Sequence, residues 1–252
     1  MITYNPIPVL VAIGPVKIYS WGTMLAIGII LGALLSAGIA RKKHLEAEQI
    51  YDSIFWMIVG GVIGARLLHL IFYPYYYSSF WSFFMLWNGG LVSYGGYAGG
   101  IFAFYLYARK KKLNFLKYAD VLALGIALAM IITRIGCFLN WDDYGISSNV
   151  AWAVKVGTDI SRHPTNLYYA VASLAIFILL WQLKDKKTLF KMKVFDGFHF
   201  YAFILLYSAT RFVIDFWREY EKARWASQVF DILLIIFTGY LMYRQFKKEI
   251  KK

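Results

Sequence analysis

Cysteine is almost absent: Cys137 is the single one in 252 residues. An intrachain disulfide is therefore impossible, and no cysteine cluster exists to hold zinc or an iron–sulfur centre. Charge is scarce too. Only 16% of residues are charged, with 14 acids against 27 Lys and Arg, whereas soluble domains carry about a quarter. Residues 1 to 17 lack a basic n-region and a small-residue cleavage site, so no removable signal peptide is expected. No soluble domain, internal repeat or low-complexity linker is visible, and nothing in the composition implies a metal or a cofactor.

Apolar residues fill the space, at 60% of the chain and a mean hydropathy of +0.53. They come in blocks of about twenty, the number a helix needs to cross roughly 30 Å of hydrocarbon. The expected spans are 18–40, 51–73, 92–108, 117–137, 165–183, 194–217 and 228–244. The fold class is thus an all-α integral membrane protein, one polytopic transmembrane domain over residues 1–252. The net charge of +13 does not indicate nucleic acid, because the basic residues sit in short runs beside apolar blocks, where anionic lipid headgroups attract them.

Those runs set the orientation. Arg41 to Lys43, Arg109 to Lys112 with Lys117, Lys184 to Lys193 and the tail from Arg244 hold 18 of the 27 basic residues, and the opposite loops hold six. By the positive-inside rule the amino terminus lies outside and the carboxyl terminus in the cytoplasm. The outward loop 74–91 has no charge and is dense in aromatics (Tyr75 to Tyr77, Phe80, Trp81, Phe83, Phe84, Trp87). Such rings favour the membrane interface. The longest polar loop, 138–164, is expected to form a small outer cap.

Three arginines fall at membrane depth: Arg66, Arg134 and Arg211. A charge at the bilayer centre costs about 2.5–3.5 kcal/mol even on a lenient scale, so each needs a partner or a cavity. Tyr207, Arg211, Asp215 and Arg218 fall on one helical stripe. A structural Arg211–Asp215 pair is one reading of it, and Arg218 is expected to snorkel to outer headgroups. The reading favoured for Arg134 and Arg211 together is a clamp for a phosphodiester, which a guanidinium can hold by two parallel bonds. Around Arg66, the glycines Gly60, Gly61 and Gly64 point to close helix packing. The run Gly89-Gly90-Leu91-Val92-Ser93-Tyr94-Gly95-Gly96 lacks the lysine of a P-loop and reads as packing or a protected re-entrant turn. His69 and His199 are expected to be hydrogen-bonded core residues. His163, beside Pro164 at a helix start, could cap the helix or act in chemistry.

At Arg134-Ile135-Gly136-Cys137-Phe138-Leu139-Asn140, with Gly145 following, the chain resembles the prolipoprotein diacylglyceryl transferases. The resemblance extends through Ile13-Gly14-Pro15, Ser20-Trp21-Gly22, Arg66 with Phe72-Tyr73, the glycine run, Arg162-His163-Pro164 and Tyr207 to Arg218. It implies an enzyme that moves the diacylglyceryl group of phosphatidylglycerol to the lipobox cysteine thiol of prolipoproteins, releasing glycerol phosphate, in the cytoplasmic membrane. By carry-over Arg134, Arg211, Tyr94 and Tyr207 are the catalytic candidates. Arg66, Gly95, Gly96, Asn140, Asp142, Gly145, His163 and Asp215 are the substrate-binding candidates. The implied partners are phosphatidylglycerol, lipobox signal peptides and membrane lipids.

The chain departs from the family pattern at named positions. Tyr94 stands where histidine is usual, Cys137 where asparagine is usual, Trp21 for tyrosine, and Asp142 and Asp215 for glutamate. A phenol, with a pKa of about 10, is a poor base at neutral pH. Lone buried thiols usually serve packing, so Cys137 is not read as a nucleophile. Two rivals have different signatures: a non-catalytic lipid-binding relative, and a small-solute transporter whose polar residues would flank a midplane site.

Overall fold

The computed structural model describes residues 2–14, 16–85, 89–186, 188–189, 192–219 and 224–250. Pro15 of the early motif, Trp87 of the aromatic loop, and Lys187, Lys191, Lys222, Lys251 and Lys252 of the basic and outer segments lie outside them.

Among the described residues there are seven α-helices: α1 (Ser20–Lys42), α2 (Ala47–Phe72), α3 (Ser93–Lys110), α4 (Phe115–Asn140), α5 (Thr165–Leu183), α6 (Phe198–Ile214) and α7 (Arg224–Ile250). Five of them, α1, α2, α4, α5 and most of α7, are long and apolar enough to cross a membrane. The other two match expected spans but carry weaker signals. Helix α6 has only 17 residues, and α3 trades apolar side chains for glycine. Large apolar side chains of several helices face outward, as Ile71, Phe102, Val171 and Leu233 do, which is stable only in a lipid solvent.

The chain packs as two compact units, Met1–Ser36 with Ala119–Lys252, and Ala37–Tyr118. In the smaller unit the glycines at helical spacing set the packing of α2 on α3. A Cβ on Gly64 would lie 2.3 Å from the Gly95 carbonyl oxygen and 2.9 Å from the Gly99 Cα, so only hydrogen fits. The aromatic loop after α2 forms two short 3₁₀ turns, Pro74–Tyr76 and Phe80–Phe83. Tyr75, Trp81 and Phe84 are exposed, as an interfacial belt requires.

In the larger unit α1 meets α4 in the same way. A Cβ on Gly32 would fall 2.5 Å from the Gly125 carbonyl oxygen, and Ser36 Oγ donates to the Val121 carbonyl at 3.3 Å. The start of α6 is capped from another helix. Asp120 of α4 accepts the backbone N–H of Gly197 at 2.8 Å and of Phe200 at 3.0 Å, which satisfies two of the donors a helix leaves unpaired at its start. His199 departs from expectation: it is buried, yet its ring nitrogens have no hydrogen-bond partner among the described residues.

Short β elements decorate the helices. Strands β2 (Val9–Ile13) and β3 (Val16–Tyr19) form an antiparallel hairpin. Strand β1 (Ile2–Tyr4) pairs in parallel with β4 (Val154–Val156) inside the 138–164 loop, and β5 (Thr188–Leu189) pairs with β6 (Met192–Lys193). The loop expected as a cap is therefore an irregular layer. The amino-terminal strand and isolated bridges from Gly145 to Arg218, Ser147 to Arg162 and Val154 to Arg162 tie it down.

Candidate active site

Arg134, one and a half turns from the end of α4, is 9% exposed, and Arg211, at the end of α6, is 5% exposed. Both face the protein interior, as the cost of charge in hydrocarbon demands. Arg134 Nη1 donates to Asp143 Oδ2 at 2.8 Å, Nη2 reaches the Tyr207 hydroxyl at 3.4 Å, and the guanidinium lies 4.3 Å over the Tyr169 ring. Arg218, expected to snorkel outward, turns inward instead. Its Nη2 donates to Asp143 Oδ1, because a nearby carboxylate offers a charge-assisted bond that headgroups in water cannot match.

Asp143 thus bridges two arginines with its two oxygens. Burial alone would raise its pKa, but Arg218 and Arg134, with Arg211 adding to the effect, hold the carboxyl below the usual range. Two guanidiniums therefore hold one anion, and a third acts on it from further away. Neighbouring Asp142 has the opposite balance: burial raises its pKa, while the hydrogen bond from Asn140, 2.8 Å long, counters part of that rise.

Arg211 belongs to a second polar set. Its Nε stands 3.7 Å from Asp231 Oδ2, on α7, where both groups are buried. Asp215, the acid expected to pair with Arg211, is fully buried and accepts the hydroxyls of Tyr169 and Ser227, each at 2.6 Å. It anchors α5 and α7 to the end of α6.

The loop candidates line up around this set as scaffolding. Gly145 donates its N–H to the His163 carbonyl at 2.8 Å. A Cβ there would fall 2.4 Å from the Trp217 carbonyl oxygen, so the position admits glycine alone. His163 Nδ1 lies 2.8 Å from the Tyr168 hydroxyl, which also accepts Trp152 Nε1 at 2.8 Å, and burial lowers the His163 pKa. His163 is a fastener of the cap in this geometry.

Four candidates belong to the smaller unit, and two of them pack against the facing helix. Gly95 meets Gly64 and the Leu68 side chain, and Gly96 faces Gly61 and Ala65. Tyr94, in the first turn of α3, is partly exposed. Arg66, carried over as substrate-binding, is engaged by the aromatic loop. Its Nε donates to the Phe83 carbonyl at 2.8 Å, Nη1 to Gly89 and, at 3.0 Å, to Gly90, and Nη2 to Ser82 at 2.5 Å and Met85 at 3.2 Å. A guanidinium has five N–H donors, and carbonyls of the aromatic loop take them all. His69 is a hydrogen-bonded core residue as expected, its Nδ1 2.9 Å from the Tyr77 hydroxyl.

Within the larger unit the arrangement is a buried set of three arginines interleaved with carboxylates and tyrosines at the ends of α4 and α6. A family model described as prolipoprotein diacylglyceryl transferase matches residues 8–244. The chain belongs to that family. The chain is also similar to curated phosphatidylglycerol–prolipoprotein diacylglyceryl transferases. That of Tolumonas auensis is 34% identical over 242 residues, covering 92% of this chain and 90% of the relative. That of Finegoldia magna is 31% identical over 242 residues, 94% of each, and that of Clostridioides difficile 34% identical over 201 residues, 79% and 78%. Within this transferase, sequence reasoning missed Asp143, Tyr169, Ser227 and Asp231. A lone acid inside an apolar span was a readable signal for Asp231; nothing local marked Tyr169 or Ser227.

Cys137 Sγ and carboxylate oxygens of Asp142 and Asp143 lie within 4.8 Å of one another. Both Asp143 oxygens are engaged by arginines, so the geometry favours an anion site over a cation site.

Proposed function

We infer that the protein transfers the diacylglyceryl group of phosphatidylglycerol to the lipobox cysteine thiol of prolipoproteins. The observation that carries this reading, beside family membership, is the pair of guanidiniums of Arg134 and Arg218 on a single carboxylate, with Arg211 near enough to act on it electrostatically.

The chemistry explains why such a set is needed. The substrate thiol loses its proton to water, and the sulfur attacks the glycerol carbon that carries the phosphate ester. The carbon–oxygen bond breaks and its electron pair stays on the phosphate oxygen. A phosphodiester with one negative charge becomes a glycerol phosphate with two. Groups that bind the second charge better than the first lower the barrier, and arginines fixed in a poorly hydrated site do so without reorganising. Arg134 and Arg211 are assigned to the phosphate, joined by Arg218, with the Tyr207 hydroxyl as an added donor. Asp215, Asn140, Asp142, Gly145 and His163 are assigned to shaping the site. Tyr94 remains a catalytic candidate, for which Tyr94→Phe is the direct probe.

The chain is proposed to run as one polytopic domain with seven crossings, amino terminus outside, in the cytoplasmic membrane. The site then lies toward the outer leaflet, where a lipobox peptide emerging from the cytoplasm arrives. The test is direct: incubate the purified protein with phosphatidylglycerol and a lipobox peptide, and look by mass spectrometry for the diacylglyceryl thioether and for glycerol phosphate. Lipid bound without either product would instead identify a non-catalytic relative.

A further inference from the structure

Asp143 has no part in the reaction just described, yet the loop that carries it is built with unusual care. Its backbone sits in the left-handed region at φ 55°, two residues after Trp141 at φ 56°. L-residues enter that region at a cost of about 1 kcal/mol or more each, and Asp and Asn tolerate it best. Three hydrogen bonds hold the strained turn. The Asp143 carbonyl accepts the hydroxyl of Thr165, the Asp142 carbonyl accepts Asn166 Nδ2 at 3.2 Å, and the Asp142 N–H reaches the Cys137 carbonyl at 3.1 Å. Thr165 and Asn166 are fully buried.

The result is a carboxylate delivered between Arg134 and Arg218, one oxygen to each. A carboxylate and a phosphate ester present the same pair of acceptor oxygens to a guanidinium fork. The Asp143 side chain is 31% exposed while those of Arg134 and Arg218 are 11% and 17% exposed. An incoming oxyanion therefore meets the aspartate at the open side of donors it must itself use.

We propose that Asp143 is a built-in competitor for the phosphate: it holds Arg134 and Arg218 in place in the empty site, yields to the lipid phosphodiester, and returns to expel glycerol phosphate after transfer. The proposal rests on the phosphate-clamp reading above. Its logic is charge. Clamp arginines that favour the dianion in the transition state also favour the dianionic product, which then leaves slowly. A fixed neighbouring carboxylate repels the product's two charges more than the substrate's one, so it speeds release with a smaller effect on lipid binding. No bond is made or broken by Asp143.

The experiment measures inhibition of thioether formation by added glycerol phosphate, together with KM for phosphatidylglycerol and kcat, on the full-length protein in detergent. Asp143→Asn and Asp143→Gly both tolerate a left-handed backbone and remove the charge; Asp143→Glu keeps the charge on a longer arm. The neutral variants are expected to bind glycerol phosphate at least about tenfold more tightly, the size of one unit charge lost beside the ligand in a partly hydrated site. Their KM and kcat should fall together, while the Glu variant stays nearer wild type. Inhibition unchanged or weakened in folded Asn and Gly variants, with KM raised, overturns the proposal and leaves Asp143 as a prop for the arginines. A wild-type protein that neither makes thioether nor is bound by glycerol phosphate overturns the clamp reading itself.

Discussion

Replacing Arg134 by lysine keeps the charge and removes the shape, and the surroundings of that residue set the size of the effect. The guanidinium bonds Asp143 and Tyr207 from two different nitrogens while its flat face covers the Tyr169 ring at 4.3 Å. An ammonium can keep one of these contacts as a point charge, but it has no second fork arm and no face to stack. A charge-assisted hydrogen bond is worth about 1.5–3 kcal/mol, and a desolvated cation–π contact adds about 1–2 kcal/mol. If most of this serves the developing phosphate dianion, about 3 kcal/mol of transition-state stabilisation disappears, a rate loss of somewhat more than a hundredfold. The assay is thioether formed per folded molecule, with folding checked independently by thermal unfolding in detergent. Arg211→Lys should behave alike, since lysine has no Nε to set against Asp231. Turnover within about threefold of wild type in both variants would remove the arginines from the chemistry, because a hundredfold effect cannot hide inside that margin.

Other consequences separate scaffold from chemistry. Arg66→Lys should lower stability by about 3 kcal/mol or more, because several carbonyls and a buried charge lose partners, and activity per folded molecule should change little; unfolding in detergent reads the first and the thioether assay the second. Gly64→Ala drives a methyl into the backbone of α3 and should cost about 1–3 kcal/mol, read as a lower unfolding midpoint, whereas an unchanged midpoint would mean the helices can part freely. Because the Asp143 carboxyl sits below its usual range when folded, its stabilisation is fully present above about pH 4 and is lost as pH falls through the folded value. Asp142, raised by burial, works in the opposite sense. The wild-type midpoint should accordingly fall more steeply than that of Asp143→Asn on acidification below about pH 4, and parallel curves would contradict the assignment. Cysteine-accessibility labelling should find the 138–164 loop outside and the 109–117 loop inside; the reverse pattern would invert the topology.

The seven helices were legible because lipid imposes a simple rule on composition, and six of them start or stop within a few residues of the apolar blocks. The seventh, α7, runs well past its block at both ends, into polar residues that the hydropathy pattern assigns to flanking segments. What sequence could not supply was partnership. The Tyr207–Arg211–Asp215–Arg218 stripe holds only as far as the end of α6 at Ile214, beyond which Arg218 lies in a bridge to Gly145, and intrahelical spacing gave no sign of Asp231, the acid on α7 that stands near Arg211 Nε. Arg218 looked like a headgroup anchor because its acceptor, Asp143, lies 75 residues away in the chain. Helical periodicity sees one face of one element at a time, and an intramembrane charge is satisfied mostly by other elements.

The same limit explains why Arg66 and Arg134 read alike from sequence and differ in kind. Each is an arginine at membrane depth near the end of a span, with the same desolvation cost. The difference lies in what accepts their protons. All five Arg66 donors are on backbone carbonyls, and buried carbonyls cannot turn away to find other donors, so a ligand that took the guanidinium would orphan several at about 1–3 kcal/mol each. Arg134 instead bonds a carboxylate and a phenol on side chains, one of them partly exposed, and those can rotate toward water or other partners when a phosphate arrives. An arginine able to exchange its acceptors can bind and release substrate; one locked to backbone can only hold a loop. By that criterion Arg134 and Arg218 are the arginines we propose for the reaction, and Arg66 is proposed for the fold. The glycine-rich turn that Arg66 fastens is then part of the scaffold, even though its sequence resembles a binding motif.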